Sequence, residues 1–324
     1  MKEYAHERVI YFIMGFHLLN RNKLILALVT VFTAAMVLFP QVTEAGSKSA
    51  IIIWANSIVP VLLPFFIFSD FIKRTGNLEK LPPRIYPFAV ACLSGYPMGA
   101  RVSADMVKTG ALGLEDGKWV LSYAMVTGPA FLMGTIGGFL GSTRAAAVVT
   151  AAHYGAALLN GFFWKTSSGP DDRRKGKPKE SSGRNRERTG GKAGLMDSFT
   201  QSILSGFRAM ALILAYLILF MIGMQLLDAA GLFRLVVNET VCSVLKGLLE
   251  MTAGSSMLSA CNISLQLKTI VTAVLVSFGG LSVIGQSVSM AEGSGIGMKD
   301  ILQRKATHGL LAGILAVFLA GIMV

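Results

Sequence analysis

The stretch Ser94-Gly95-Tyr96-Pro97-Met98-Gly99-Ala100-Arg101-Val102-Ser103-Ala104-Asp105 lies inside an apolar region. It nevertheless carries two glycines, a proline, an arginine and an aspartate. Pro97 removes a backbone donor and bends the chain. Gly95 and Gly99 open backbone angles closed to other residues. In hydrocarbon, backbone freed from its helix must find partners in protein or in a water-filled cavity, and ionisable side chains at that depth are costly and mark function. Two readings fit the stretch alone. It is a broken helix lining a cavity, or a cytoplasmic turn with Arg101 and Asp105 as a surface i,i+4 pair.

The rest of the chain bears on the choice. Its 324 residues are 53% hydrophobic and 15% charged, and mean hydropathy is +0.59. A soluble domain carries more charge and fewer long apolar runs. Several runs approach the roughly 18 residues that cross a bilayer, which predicts a polytopic helical membrane protein. The net charge of +12 sits largely in one loop. The rule that cytoplasmic loops are basic accounts for it without a nucleic-acid partner. Cys92, Cys242 and Cys261 lie in apolar surroundings without CxxC spacing, so neither a disulfide framework nor a zinc site is indicated.

Residues 1–23 read as a polar lead and a short interfacial run. Leu24–Phe39 is the first spanning candidate, closed by Pro40. Ile51–Ile72 is the second, and Pro60 and Pro64 predict a kink or interruption. Lys73, Arg74, Lys80 and Arg84 then mark a cytoplasmic side. Tyr86–Gly110 holds the opening motif. Trp119–Gly141 is apolar with a second break at Thr127-Gly128-Pro129, and Ala145–Trp164 is another span. Lys165–Met196 is basic and rich in Gly, Ser and Pro, a composition that predicts a disordered cytoplasmic linker. Beyond it come an amphipathic lead from Asp197 into a span ending at Asp228, a broken apolar region Leu232–Ala260, a span Thr269–Met290, a polar segment Glu292–Lys305 and a last span Thr307–Val324.

If the basic N-terminus and the basic linker are both cytoplasmic, the crossings between them are even in number. Five candidates lie there, so one fails to cross. Tyr86–Gly110 is the most broken, and it reads as a re-entrant hairpin entered from the cytoplasm. Leu232–Ala260 is then a hairpin entered from outside. Each half now reads span, hairpin, span, span, with opposite starting sides. The expected fold is an all-α polytopic membrane protein, an inverted-repeat transporter-like bundle with two re-entrant helical hairpins. Its parts are an N-terminal segment with the first span (1–50), a first repeat (51–164), the linker (165–196) and a second repeat (197–324).

In such folds the solute site lies near the midplane, where the broken elements meet. Glu250 is the strongest intramembrane acid: it binds a proton or sodium ion or hydrogen-bonds solute, or else it snorkels and pairs with Lys246. Arg101 meets a substrate carboxylate with its planar fork, or serves only to set topology. Thr127, Thr252, Ser255, Ser282 and Gln286 offer neutral donors to a site, although each can equally be satisfied between helices. Gly128 and Pro129 shape a break. His153 reads as hydrogen-bonded within the bundle. No HExxH, nucleophile elbow or paired carboxylates point to an enzyme.

The motif Gly95-Tyr96-Pro97-Met98-Gly99-Ala100-Arg101 resembles that of the YlbJ-type sporulation integral membrane proteins, in the nucleoside-recognition, or Gate, superfamily. Pro60–Phe66, Thr127-Gly128-Pro129, Ala152-His153-Tyr154, Gly247–Thr252 and Ser277–Val283 agree in order. Two positions depart: Met125-Val126 stand where the family has Cys-Asn, and Ala253-Gly254 where it often has Asn-Gly. The resemblance implies a Gate-type fold related to concentrative nucleoside transporters. It implies a role in endospore formation, with movement of dipicolinate from the mother cell across the outer forespore membrane. The expected partners are therefore a small anionic solute and membrane lipid, with room for a homo-oligomer. No cofactor beyond a coupling proton or sodium ion is expected. A non-transporting sporulation scaffold and a nucleoside-type transporter are the alternatives.

Overall fold

The structure, a computed structural model, describes residues 23–75, 80–165 and 194–324. The expectations for residues 1–22 and for nearly all of the linker lie outside these. The described residues form helices joined by short breaks. Among the described residues five helices are long and apolar enough to cross a membrane.

In the first half, α1 is Lys23–Leu38 and α2 is Pro40–Thr75. Pro40 was expected to close the first span; it instead opens α2 at the helix start, where its missing N–H belongs to the unpaired first turn. Pro60 and Pro64 do not interrupt α2. A π-type turn over Trp54–Ile58 precedes Pro60 and absorbs the carbonyl that the proline ring would meet one turn back. Two short helices follow, α3 (Tyr86–Ser94) and α4 (Met98–Lys108). Next come α5 (Leu114–Ala124) and α6 (Phe131–Leu140), separated by non-helical chain, and then α7 (Thr143–Phe163).

The second half repeats this order of element types. The long helix α8 (Leu195–Ala229) merges the amphipathic lead with its span. The short pair α9 (Glu239–Leu249) and α10 (Met251–Ala260) is followed by α11 (Leu265–Phe278) and α12 (Gly280–Ala291), and α13 (Met298–Met323) closes the chain. Gly279 and Gly280 both have positive φ, +87° and +72°. Such backbone is disfavoured for residues with a Cβ, and the break falls there. α13 begins at Met298, not Thr307, so Lys299, Arg304 and Lys305 are helical. The polar segment was expected in the cytoplasm, yet Arg304 and Lys305 are buried.

Helices in corresponding positions pack together and run antiparallel. Along α2 and α8, Gly46 lies against Ile222, the Trp54 indole donates to the Met210 carbonyl at 3.0 Å, and Gly206 lies against Ile67. Along α7 and α13, the Trp164 indole donates to Thr307 at 2.9 Å, Asn160 to the Arg304 carbonyl at 2.9 Å, and His308 Nε2 meets the His153 carbonyl at 2.9 Å. Tyr154 and Leu315, further along each helix, continue the core.

Candidate functional site

Each half contains two breaks, and within each half the two abut. Gly95 ends α3 with φ +63°. A Cβ there would stand 3.0 Å from the Gly128 amide nitrogen, so the α3–α4 break presses on the α5–α6 break. In the second half a Cβ on Gly280 would stand 3.1 Å from both the Leu249 carbonyl and the Met251 nitrogen. The α11–α12 break thus presses on the α9–α10 break. Small residues permit such approaches, and there is no hydrophobic drive between helices in lipid to enforce them otherwise.

Backbone released at these breaks is satisfied from the other helices, as it must be away from water. The Thr127 N–H donates to His153 Nε2 at 3.1 Å, and the Tyr154 hydroxyl donates to the Thr127 carbonyl at 2.8 Å. Acceptance at Nε2 places the His153 proton on Nδ1, which faces the Ser277 hydroxyl at 2.8 Å. This is the bundle histidine that the sequence suggested. The Met125 carbonyl accepts from Lys305 Nζ at 3.2 Å.

Residues at three of the breaks, with the first turns of α12 just beyond the fourth, line one narrow cavity of about 60 Å³, space for a few water molecules. Its wall holds Gly95, Tyr96, Thr127, Gly128, Glu250, Thr252, Ser282 and Gln286, all expected site residues, beside apolar residues of α2 and α8. It adjoins a wider vestibule of about 530 Å³, sharing Phe66, Tyr96, Ile213 and Gln286 with it. The vestibule is lined by Lys73, Arg74, Arg101 and Arg208 with Asp70. Asp70 pairs with Arg74 at 2.6 Å and with Lys73 at 3.4 Å. Lys73 also donates to Ser94 at 3.0 Å, beside the first break. The field there is positive on balance.

Glu250 is buried and caps α10, its Oε2 accepting from the Ala253 N–H at 2.7 Å. The positive end of α10 supports its charge. Lys246 does not pair with it: Nζ reaches Asp228 at 3.1 Å. Ser282 lies on the cavity wall with its hydroxyl unpartnered among the described residues.

Five expected residues are placed elsewhere. Pro97 and Arg101 line the vestibule. Arg101 and Asp105 are a loose pair, 3.8 Å apart and each more than half exposed, so the guanidinium fork holds nothing bidentately. Gly99 does not face the cavity; a Cβ on it would lie 1.8 Å from the Ala124 carbonyl oxygen, so its part is close helix contact. Pro129 stands at the restart of helix before α6, outside the cavity wall. Ser255 is buried off the cavity with no hydroxyl partner among the described residues. Sequence reasoning missed Lys305, whose ammonium donates to the Tyr96 hydroxyl. The one available signal was a lysine one turn before a histidine in front of a long apolar run.

No protein-family model matches the chain, and no solved structure matches it. Among curated proteins the chain is similar to "Sporulation integral membrane protein YlbJ" of Bacillus subtilis (strain 168). The two are 23% identical over 338 aligned residues, which cover 92% of this chain and 83% of the relative. With its five long apolar helices and this likeness along nearly all its length, the chain is an integral membrane protein.

Proposed function

We propose that this protein is a secondary transporter of a small anionic solute and a YlbJ-like member of the Gate superfamily. The observation that carries the reading is the convergence of four chain breaks, two from each half, around one cavity that adjoins a basic vestibule. A scaffold has no use for that arrangement, because each break forgoes helix hydrogen bonds that lipid cannot replace. The repeated order of elements and the antiparallel packing of α2 with α8 and α7 with α13 support an inverted repeat. On that reading α3–α4 and α9–α10 are the two re-entrant hairpins, entered from opposite faces. The vestibule opens on the end that carries Lys73 and Arg74, the cytoplasmic end by the positive-inside rule.

The resemblance names the solute as dipicolinate, exported across the outer forespore membrane. An aromatic dicarboxylate fits the positive vestibule but exceeds a space for a few waters. Passage therefore requires the hairpin tips to part. Glu250 is the site of the coupling proton or sodium ion. Its carboxylate would otherwise repel the solute.

Binding tests the reading. Millimolar dipicolinate should raise the Tm of the purified protein, since a ligand that binds only the folded state stabilises it by mass action. No shift at any concentration counts against the proposal. Association should be steered by the vestibule charge. Arg101→Ala combined with Arg208→Ala should slow association several-fold at low salt and much less at high salt. Arg101→Lys should leave the rate within about twofold, because an exposed, loosely held arginine acts only as a charge. Stopped-flow tryptophan fluorescence reads both.

A further inference from the structure

Among the described residues Lys305 is the largest fully enclosed side chain, 1% exposed. Two of its three N–H groups are committed, to the Tyr96 hydroxyl and to the Met125 carbonyl. The Tyr96 hydroxyl in turn donates to the Val276 carbonyl at 3.2 Å, and Lys305 Nζ stands 4.3 Å from the Tyr96 ring centre. Every acceptor here is neutral. Among the described residues the titratable groups that meet Lys305 are Tyr96 from the first break, His153 from α7 and His308 from α13 itself. None is a carboxylic acid. Arg304, the next charged residue on α13, faces the other way, toward Asp300 and the Lys118 carbonyl. Glu250 makes no ion pair with any described cation. A buried cation is ordinarily matched by an anion, and Lys305 has none among the described residues, so an arriving carboxylate is what would hold a charge on it.

Tyr96 separates Lys305 from the cavity, and it lines both the cavity and the vestibule. We infer that the missing counter-charge is the solute: Lys305, acting through Tyr96, is the charge that selects carboxylates over neutral molecules in the central cavity. A carboxylate oxygen arriving at Tyr96 would accept the hydrogen bond that the hydroxyl now donates to Val276. The Lys305 ammonium would hold that hydroxyl in place and polarise it. A lysine has three donors, and the third remains for a bridging water. Lys305 is a positioning and specificity residue in this scheme. The inference rests on the proposed transport reading but concerns a different residue from the ion site assigned there.

The test is a comparison of two probes on purified full-length protein by calorimetry. One is pyridine-2,6-dicarboxylate and the other its uncharged analogue, pyridine-2,6-dicarboxamide. The wild type should prefer the dicarboxylate. Lys305→Met keeps length and removes charge, and should weaken dicarboxylate binding by about tenfold or more while moving the diamide by no more than about threefold. Tyr96→Phe keeps the ring under the ammonium and removes the relaying hydroxyl, and should cost the dicarboxylate an intermediate factor. Where Lys305→Met is not recovered folded, Lys305→Gln keeps a donor for Met125, and Tyr96→Phe decides independently. Equal losses for both probes, or an unchanged preference in these variants, would overturn the inference. So would a wild type that binds both probes alike. A wild type that binds neither probe would remove the transport reading and this inference with it.

Discussion

Gly254→Ala is expected to leave almost no folded protein. The new Cβ would sit 2.1 Å from the Gly247 Cα and 2.5 Å from its nitrogen, backbone atoms that cannot rotate away. α9 and α10 would have to separate at their closest point. That movement would also displace Gly280, whose backbone lies against the Leu249 carbonyl. Ordinary overpacking costs about 1–3 kcal/mol; a clash this short, with backbone on both sides, exceeds that and competes with a total near 5–15 kcal/mol. Gly99, four residues beyond its break as Gly254 is beyond Glu250, meets the Ala124 carbonyl still more closely. Gly99→Ala should fail in the same way. Gly285→Ala is the control: Gly285 is exposed in α12 and an added Cβ meets nothing within 4 Å. Size-exclusion profiles and melting curves of the three variants check this, and a normal profile for Gly254→Ala would mean that the hairpin contact is loose.

Glu250→Gln is expected to fold normally and to lose most solute flux. The side-chain carbonyl of Gln can still accept from the Ala253 N–H, so the cap survives in weakened form. The charge does not survive. If Glu250 carries the coupling ion, the variant should bind solute yet fail to accumulate it against a gradient. Uptake should become insensitive to the ion that drives the wild type. Glu250→Ala removes the cap as well and should cost about a further 1 kcal/mol of stability. Flux in vesicles under imposed proton and sodium gradients separates these effects. Unchanged flux and unchanged ion dependence in Glu250→Gln would take Glu250 out of the coupling mechanism and leave it as a helix cap.

The breaks were legible because they are written in residues with local meaning. Gly95-Tyr96-Pro97 and Thr127-Gly128-Pro129 interrupt apolar runs, and the chain leaves the helix at or beside each, whereas Thr269–Met290 reads as one span and is broken at Gly279-Gly280. Glu250 was legible as an anomaly of burial, though its partner was not. Lys246 lies at the right spacing on paper, but Glu250 is in extended backbone and falls out of helical register with it. Lys305 was hidden for a different reason. Polarity places Lys299–Lys305 at a surface, and only contacts across 209 and 180 positions of chain, to Tyr96 and Met125, reveal that its end is buried. Pro40 misled through the ordinary rule that proline ends helices. It occupies a first turn, where the missing donor costs little.

The central claim is that solute passes through the cavity where the four breaks meet. Counterflow of labelled dipicolinate into proteoliposomes tests it most directly, with wild-type protein beside Ser282→Phe. That substitution fills the cavity from its wall at a hydroxyl that has no partner to lose among the described residues. The account predicts saturable counterflow for the wild type and none above protein-free vesicles for Ser282→Phe with a native elution profile. Absent counterflow in the wild type, or equal rates in the two, would contradict it.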